Sequence, residues 1–401
     1  AVNCSFPDGV DFEKQMSKEC GADPQSKALQ HVFFAERLAN KVPGLAKDSP
    51  IKEIKSVGII GAGTMGGGIA MNFANVGIPV TLLEMNPEAL DKGLGVVKRN
   101  YEASAKKGRI PGDAVDARMQ LLQGTTNSAD LADCDLIIEA VFENMDVKKK
   151  VFSMLNDTLR KDAILASNTS YLNIDEIATV VDNPERILGM HFFSPANIMR
   201  LLEIVRAEKT SPAILATVLK LAKTINKVGA VAGVCDGFIG NRMLSGYSYQ
   251  ANALIFEGAS PEQVDRVLYN FGMPMGVIAM ADLAGLDIGY LKRQSMDPSK
   301  IDQKSAFLYD KLYELGRHGQ KTGAGVYDYK PGDRTPIPSD VTKNLLKEAS
   351  EKFNLQYREI SDEEIVERCF YSMVNVGFDI LQEGIAYRAS DIDTVYINGY
   401  G

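Results

Sequence analysis

The run Ser56-Val57-Gly58-Ile59-Ile60-Gly61-Ala62-Gly63-Thr64-Met65-Gly66 decides the fold. A short apolar strand leads directly into Gly-x-Gly-x-x-Gly, and a helical pattern (Ile69, Ala70, Phe73, Ala74) follows at once. The three glycines have separate physical tasks. Gly61 permits a tight turn, Gly63 lets backbone N–H groups approach a pyrophosphate, and Gly66 lets the helix pack close to the strand. The helix N-terminus then faces the phosphates. A lone Gly-x-Gly-x-x-Gly is weak evidence. Here the strand before, the helix after and an acid at the next strand end agree. Glu84 closes Val80-Thr81-Leu82-Leu83, 23 residues beyond Gly61, where a carboxylate can accept hydrogen bonds from an adenosine ribose. Met85-Asn86-Pro87 puts no Lys or Arg beside it, which favours NAD over NADP. The pattern predicts NAD held by Gly61, Gly63, Thr64, Met65, Gly66 and Glu84. The alternative is a glycine-rich turn without a cofactor.

Outward from this motif, from 54 to about 232, short apolar runs alternate with helical patterns. The runs are Val57–Ile60, Val80–Leu83, Leu136–Val141, Ile164–Ala166, Ile187–Phe193 and Leu201–Val205. Helix candidates lie at 66–76, 87–107, 146–160 and 212–226. Such alternation predicts a largely parallel sheet covered on both faces. After Asp236 the strand signal stops and helices with Gly/Pro loops follow. The expected fold is α/β: a Rossmann-type dinucleotide-binding domain over 54–233, then two all-α helical domains over 234–330 and 340–401. Residues 1–53 read as a linker. Residues 1–26 look irregular, with turn residues Pro7-Asp8-Gly9 and Gly21-Ala22-Asp23-Pro24, and 27–40 read as an amphipathic helix carrying Ala28, Val32, Ala35 and Ala39. The helical part repeats itself. Arg242 to Glu257-Gly258 spans 15 residues, as does Arg368 to Glu383-Gly384, and Asp265 to Asn270 matches Asp393 to Asn398. Chance similarity between amphipathic helices is the alternative.

The 401 residues are 45% hydrophobic and 24% charged, which excludes wholesale disorder and a disulfide-stapled miniprotein. No run approaches the length of a membrane span. A net charge of −8 argues against nucleic acid as the main partner. Cys4, Cys20, Cys134, Cys235 and Cys369 are odd in number and widely spaced, so they read as reduced thiols, not a disulfide framework or a zinc site, and no metal is expected. The start lacks Met and an apolar signal segment, and the chain stops at Asn398-Gly399-Tyr400-Gly401 without Ser-Lys-Leu. These ends predict a segment of a longer protein.

Further motifs occur in order: Ala166-Ser167-Asn168-Thr169-Ser170, His191-Phe192-Phe193-Ser194-Pro195, Leu201-Leu202-Glu203, Gly237-Phe238-Ile239-Gly240-Asn241-Arg242 and Lys321-Thr322-Gly323-Ala324-Gly325-Val326-Tyr327. With the glycine motif they make the chain resemble the L-3-hydroxyacyl-CoA dehydrogenase family of fatty-acid β-oxidation over about 54–330. Residues 1–53 and 340–401 resemble the linker helix and second helical domain of its multifunctional members. The resemblance implies NAD-dependent oxidation of (S)-3-hydroxyacyl-CoA to 3-ketoacyl-CoA. It implies an acyl-CoA partner, an upstream hydratase domain absent from this chain, and a monomer in which the second helical copy covers the first. It places a bacterial chain in the cytoplasm and a eukaryotic one in the peroxisome. Another Rossmann β-hydroxyacid dehydrogenase, or a poorly active NAD/CoA-binding fragment, are the alternatives.

Oxidising a secondary alcohol with NAD removes the hydroxyl proton as hydride leaves. A base of near-neutral pKa suits that step, and His is the usual choice. The chain has three: His31 on the linker helix, His318 in a polar loop, and His191 at the end of an apolar strand. Open α/β sheets present their chemistry at strand ends. Glu203 follows in the next strand, where a carboxylate could hold the imidazole in one tautomer. The resemblance assigns His191 and Glu203 this paired role; a core His with an unrelated Glu is the alternative. It also implies that Ser170 and Asn241 contact the substrate's 3-oxygen or the nicotinamide region, though each could only cap a helix. Glu143, Lys148, Asn168 and Lys321 are implied cofactor contacts, while Lys148 could equally belong to a solvated run, 148–150. Ser194 stands where many members have Asn. Lys98, Arg99, Lys106, Lys107 and Arg109 form a basic cluster suited to coenzyme A phosphates or to a plain solvated face.

Overall fold

Apolar runs that are continuous rather than alternating belong to strands buried on both faces. In the computed structural model, which describes residues 3–294 and 296–401, eight segments, most of them such runs, form one sheet. They are Val57–Ile60 (β1), Val80–Leu83 (β2), Leu122–Thr125 (β3), Leu136–Glu139 (β4), Ile164–Ser167 (β5), Ile187–Phe192 (β6), Leu201–Val205 (β7) and Val228–Ala232 (β8). Their order is β3-β2-β1-β4-β5-β6-β7-β8, so the chain winds outward from β1 to β3 and returns to β4 on the other side. The crevice between β1 and β4 is the switch point where open α/β sheets bind ligands. All neighbours are parallel except β6 and β7, which are antiparallel. Two strands were not foreseen. β3 (Leu-Gln-Gly-Thr) is an edge with one large apolar residue, and β8 (Val-Gly-Ala-Val-Ala) is built mostly from small ones.

The helices are Phe6–Ala22 (α1), Pro24–Ala39 (α2), Thr64–Ala74 (α3), Pro87–Lys106 (α4), Ala114–Met119 (α5), Met145–Thr158 (α6), Ile174–Ala178 (α7), Pro212–Thr224 (α8), Gly240–Glu257 (α9), Pro261–Phe271 (α10), Val277–Ala284 (α11), Leu286–Gln294 (α12), Gln303–Glu314 (α13), Asp340–Phe353 (α14), Asp362–Gln382 (α15) and Ala389–Gly399 (α16). Side chains mark several starts. Asn86, Asn144, Asn173 and Ser211 accept from backbone N–H groups in the first turns of α4, α6, α7 and α8. The same chemistry corrects the reading of 1–26 as irregular. Ser5 caps α1 with Pro7 and Asp8 in its first turn, and Asp23 caps α2 with Pro24 as its first residue. Proline fits a helix start because its missing N–H would have no partner there. The supposed turn residues are helix-start signals. No helix of the described residues is long and apolar enough to cross a membrane.

The chain divides into two compact units. The first runs to Asn241 and takes in Ile380–Tyr400; the second is Arg242–Asp379 with Gly401. In the first, α16 lies on α2 and beside β7 and β8, and Ile392 and Val395 of α16 and Ala35 and Ala39 of α2 are all buried. This seat is why the expected copy 340–401 is shared between units. In the second, α15 crosses α9 closely: a Cβ on Gly246 would stand 2.9 Å from Ser372 Oγ and 3.2 Å from Val376 Cγ2. Both helical copies follow one plan. α9 ends at Gly258 (φ 131°) before the 11-residue α10, and α15 ends near Gly384 (φ 72°) before the 11-residue α16.

Candidate active site

The glycine turn joins β1 to α3. Gly61 has φ 102°, and a Cβ there would lie 2.7 Å from Ala140 O. A Cβ on Gly66 would lie 1.8 Å from Gly61 O, so only glycine lets α3 abut the turn. Gly63 differs: nothing stands within 4 Å of its Cβ position, it is exposed, and no side chain caps α3. Open space before uncapped N–H groups fits a pyrophosphate. Thr64 and Met65 open the helix, exposed and half-buried. Glu84, at the end of β2, accepts from Ala62 N through Oε2 at 3.1 Å and from Asn86 N through Oε1 at 3.4 Å. Its carboxylate therefore lies beside the turn.

Across the switch point, the ends of β4 and β5 carry a polar cluster. Lys148 Nζ donates to Glu139 Oε1 at 2.7 Å and lies 3.3 Å from Glu143 Oε2. Lys148 is 1% exposed, so it is not part of a solvated lysine run. Glu139, fully buried, also accepts from Ser167 Oγ and Val141 N. Such a pair is tolerable in the interior because its remaining lone pairs are met. Glu143 Oε1 accepts from Thr169 Oγ1 (2.5 Å), Ser170 N (2.8 Å) and Tyr171 N (3.2 Å). Glu143 thus sets the turn that carries Ser170. Asn168 Oδ1 accepts from Phe192 N at 2.9 Å, tying β5 to the residue after His191.

The antiparallel step in the sheet builds the next part. Its register places His191 directly opposite Glu203. Opposed residues share a face with Cβ atoms about 5 Å apart. His191 Nδ1 and Glu203 Oε2 are 2.7 Å apart, and both side chains are buried. With Nδ1 taken by the carboxylate, Nε2 is the ring nitrogen left for proton transfer. Glu203 Oε1 accepts from Ile239 N (3.2 Å) and Gly240 N (3.0 Å), the backbone where α9 begins. Phe193 and Phe238 flank the imidazole at centroid distances of 4.4 and 5.9 Å. Phe238 has φ 52°, a conformation that costs a bulky residue about 1 kcal/mol or more and turns the chain into α9. Asn241, second in that helix, donates from Nδ2 to Ser170 O at 3.4 Å and accepts from Tyr400 OH at 2.8 Å.

His191, Glu203, Ser170 and Asn241 therefore gather in the first unit, with Asn168, Glu143 and Lys148 one strand away. Lys321 lies in the second unit, with its Nζ 2.5 Å from Asp287 Oδ1. His31 bonds Asp393 at 2.7 Å on the surface, and His318 stacks on Tyr313. Lys98, Arg99, Lys106, Lys107 and Arg109 are all exposed along α4 and the turn after it. Glu139 and Tyr400 were not foreseen. An acid closing the apolar run Leu136–Glu139 was the available sign of the first. Nothing local signals Tyr400, 159 residues from Asn241.

Residues 56–235 match 3-hydroxyacyl-CoA dehydrogenase, NAD binding domain, and residues 237–329 match 3-hydroxyacyl-CoA dehydrogenase, C-terminal domain. The chain is 41% identical to a peroxisomal bifunctional enzyme of Danio rerio over 418 residues, covering all of this chain and 58% of the relative. It thus spans little more than half the length of that relative. An (S)-3-hydroxybutyryl-CoA dehydrogenase from Ralstonia eutropha is 34% identical, with a TM-score of 0.63 over 69% of this chain and 100% of its own. The dehydrogenase part of multifunctional enzyme 1 from C. elegans is 28% identical, with a TM-score of 0.64 over 92% of this chain and 86% of that one. With the glycine turn on a parallel sheet and helices following it, these matches place the chain in the 3-hydroxyacyl-CoA dehydrogenase family.

Proposed function

We propose that the chain oxidises (S)-3-hydroxyacyl-CoA to 3-ketoacyl-CoA with NAD. The buried His191–Glu203 pair, beside Ser170 and Asn241 in a dinucleotide-binding fold, carries this reading. Gly61, Gly63, Thr64, Met65 and Gly66 hold the pyrophosphate, and Glu84 the adenosine ribose. Glu143 and Asn168 complete the cofactor side, and Lys148 supports it by holding Glu143. Lys321 joins this set on the family resemblance alone. Bound NAD supplies the hydride acceptor. His191 takes the hydroxyl proton at Nε2, and Glu203 stabilises the imidazolium that forms. Ser170 and Asn241 hydrogen-bond the 3-oxygen and orient it towards His191. In the reverse direction His191 returns the proton. The exposed cations of 98–109 meet the phosphates of coenzyme A.

One chain suffices, in this reading, because α15 already covers α9. A eukaryotic chain works in the peroxisome, as the relative's name suggests, and a bacterial one in the cytoplasm. The deciding assay mixes the chain with acetoacetyl-CoA and NADH and follows nicotinamide absorbance. Turnover supports the proposal. NADH binding without turnover points to a binding fragment, and turnover only with a free hydroxyacid to a different dehydrogenase; either defeats it.

A further inference from the structure

Asn241 has an amide whose two ends are nearly the same size, so packing alone does not choose between them. Hydrogen bonding does. Ser170 O can only accept, and it faces Nδ2 at 3.4 Å. Oδ1 then needs a donor, and Tyr400 OH supplies one at 2.8 Å. A flipped amide would set Oδ1 against the Ser170 carbonyl, two acceptors together. The observed sense turns N–H, not a lone pair, to the Ser170 side, as donation to a substrate oxygen requires.

Tyr400 is held firmly for this task. Its ring meets Phe193 edge-on at 5.4 Å, and Phe193 lies against His191. Tyr396 stacks on it at 4.8 Å and donates its own hydroxyl to Gly240 O at 3.1 Å. Gly240 admits the ring: a Cβ there would lie 2.5 Å from both Tyr400 Cε2 and the hydroxyl. A Cβ on Gly399 would meet Leu201 Cδ2 at 2.5 Å, so the backbone below the ring sits equally close to β7. Burial, reinforced by the Glu203 carboxylate, pushes the phenol well above its ordinary pKa. The hydroxyl remains a donor at working pH and exchanges no proton in the reaction.

We propose that Tyr400 is a positioning residue of the dehydrogenase site, fixing the amide of Asn241 so that it presents N–H to the substrate's 3-oxygen. This rests on the roles given above to His191 and Asn241. The end of the second helical copy is thereby part of the machinery, not only a cover for the sheet.

The test is a mutant cycle in the intact chain. Tyr400→Phe keeps the ring and loses the hydroxyl. Its kcat with acetoacetyl-CoA and NADH is expected to fall about tenfold, the worth of one such hydrogen bond. KM for acyl-CoA and Kd for NADH should stay within about twofold, as a loosened fold would not allow. The pH profile should keep its shape and lose only height. In an Asn241→Ala background the same change should cost no more than about twofold, because its target is gone. Asn241→Asp supplies a second reading should Tyr400→Phe be unstable. It keeps an acceptor for Tyr400 and a favourable helix start, yet offers no N–H, so it should be at least as slow as Asn241→Ala. Wild-type kcat in Tyr400→Phe, an equal loss in both backgrounds, or an active Asn241→Asp would overturn the proposal. His191→Ala separates the levels. If it stays active, the function reading itself has failed; if it is dead while Tyr400→Phe is full speed, only the positioning role has.

Discussion

His191 gives its two ring nitrogens different surroundings, with Nδ1 on Glu203 and Nε2, in the proposed reaction, left for the proton. Removing the ring should leave the glycine turn intact. His191→Ala is therefore expected to bind NADH normally, by titration, while turnover falls by about two orders or more. Glu203→Gln should also slow turnover, because the imidazolium loses its counter-charge; near-normal rates in both would remove the pair from the mechanism. The pair was legible because one His of three ended an apolar strand and an acid stood in the next strand. Lys148 was not legible as a buried residue. It sits in a run of three lysines, and only the buried Glu139 distinguishes it from Lys150, which is exposed. The role of Glu143 in shaping the Ser170 turn joins residues 27 apart and leaves no local pattern.

Among the elements, β1, β2 and β7 fall where their largely apolar runs begin and end, because strands buried on both faces are predominantly apolar. β3 and β8 lack that signal, and α1 was hidden by turn residues that also start helices. The direction of β7 could not be read from its composition, although it decides that His191 and Glu203 face each other. The joint between α9 and α15 carries its own test. Arg368 donates to both oxygens of Glu257 and to Gln250, while Arg358 bridges Glu257 and Glu364. The hydrogen bonds from Arg368 and then Arg358 hold Glu257 below its ordinary pKa, and Arg358 pushes Glu364 down to about 2. A depressed carboxylate stabilises the fold above its unfolded pKa, near 4.5, and loses that contribution as pH falls towards 2. Glu257 is 36% exposed, so solvent screening limits the effect. Glu257→Gln should cost about 1 kcal/mol at neutral pH, and the difference should shrink as pH falls into the acid range, read from thermal melts across pH. A difference that persists undiminished in acid would show that packing, not charge, is at stake.

Over the whole molecule, the segment Ile380–Tyr400 returns to the unit that begins the chain. Arg388 donates to Leu38 O and Lys41 O, Gly233 N donates to Ile385 O at 2.8 Å, and Asn398 bonds Glu36. A chain ending at Asp379 would leave the apolar sides of α2 and β8 uncovered and lack Tyr400. It should lose turnover and form oligomers, whereas the full chain should scatter light as a monomer at micromolar concentration. A truncated monomer with full activity would contradict this. The matched spacings behind the expected internal repeat were readable. The separate seats of its two halves were not, because an amphipathic helix shows that one face is covered without saying by what.

The docking of α16 on α2 also sets a clock for synthesis. His31 and Asp393, which bond each other, are 362 residues apart. At roughly 5–20 residues per second, a ribosome needs roughly 20–70 s to travel between them. α2 waits without its partner for that whole interval, and the β8 edge from the time it is made. Such long-range closure is slow and leaves sticky surface waiting. The segment carrying α16 must therefore be out of the ribosome before α2 and the β8 edge are covered, and the proposed site, which includes Tyr400, is complete only after that segment has docked.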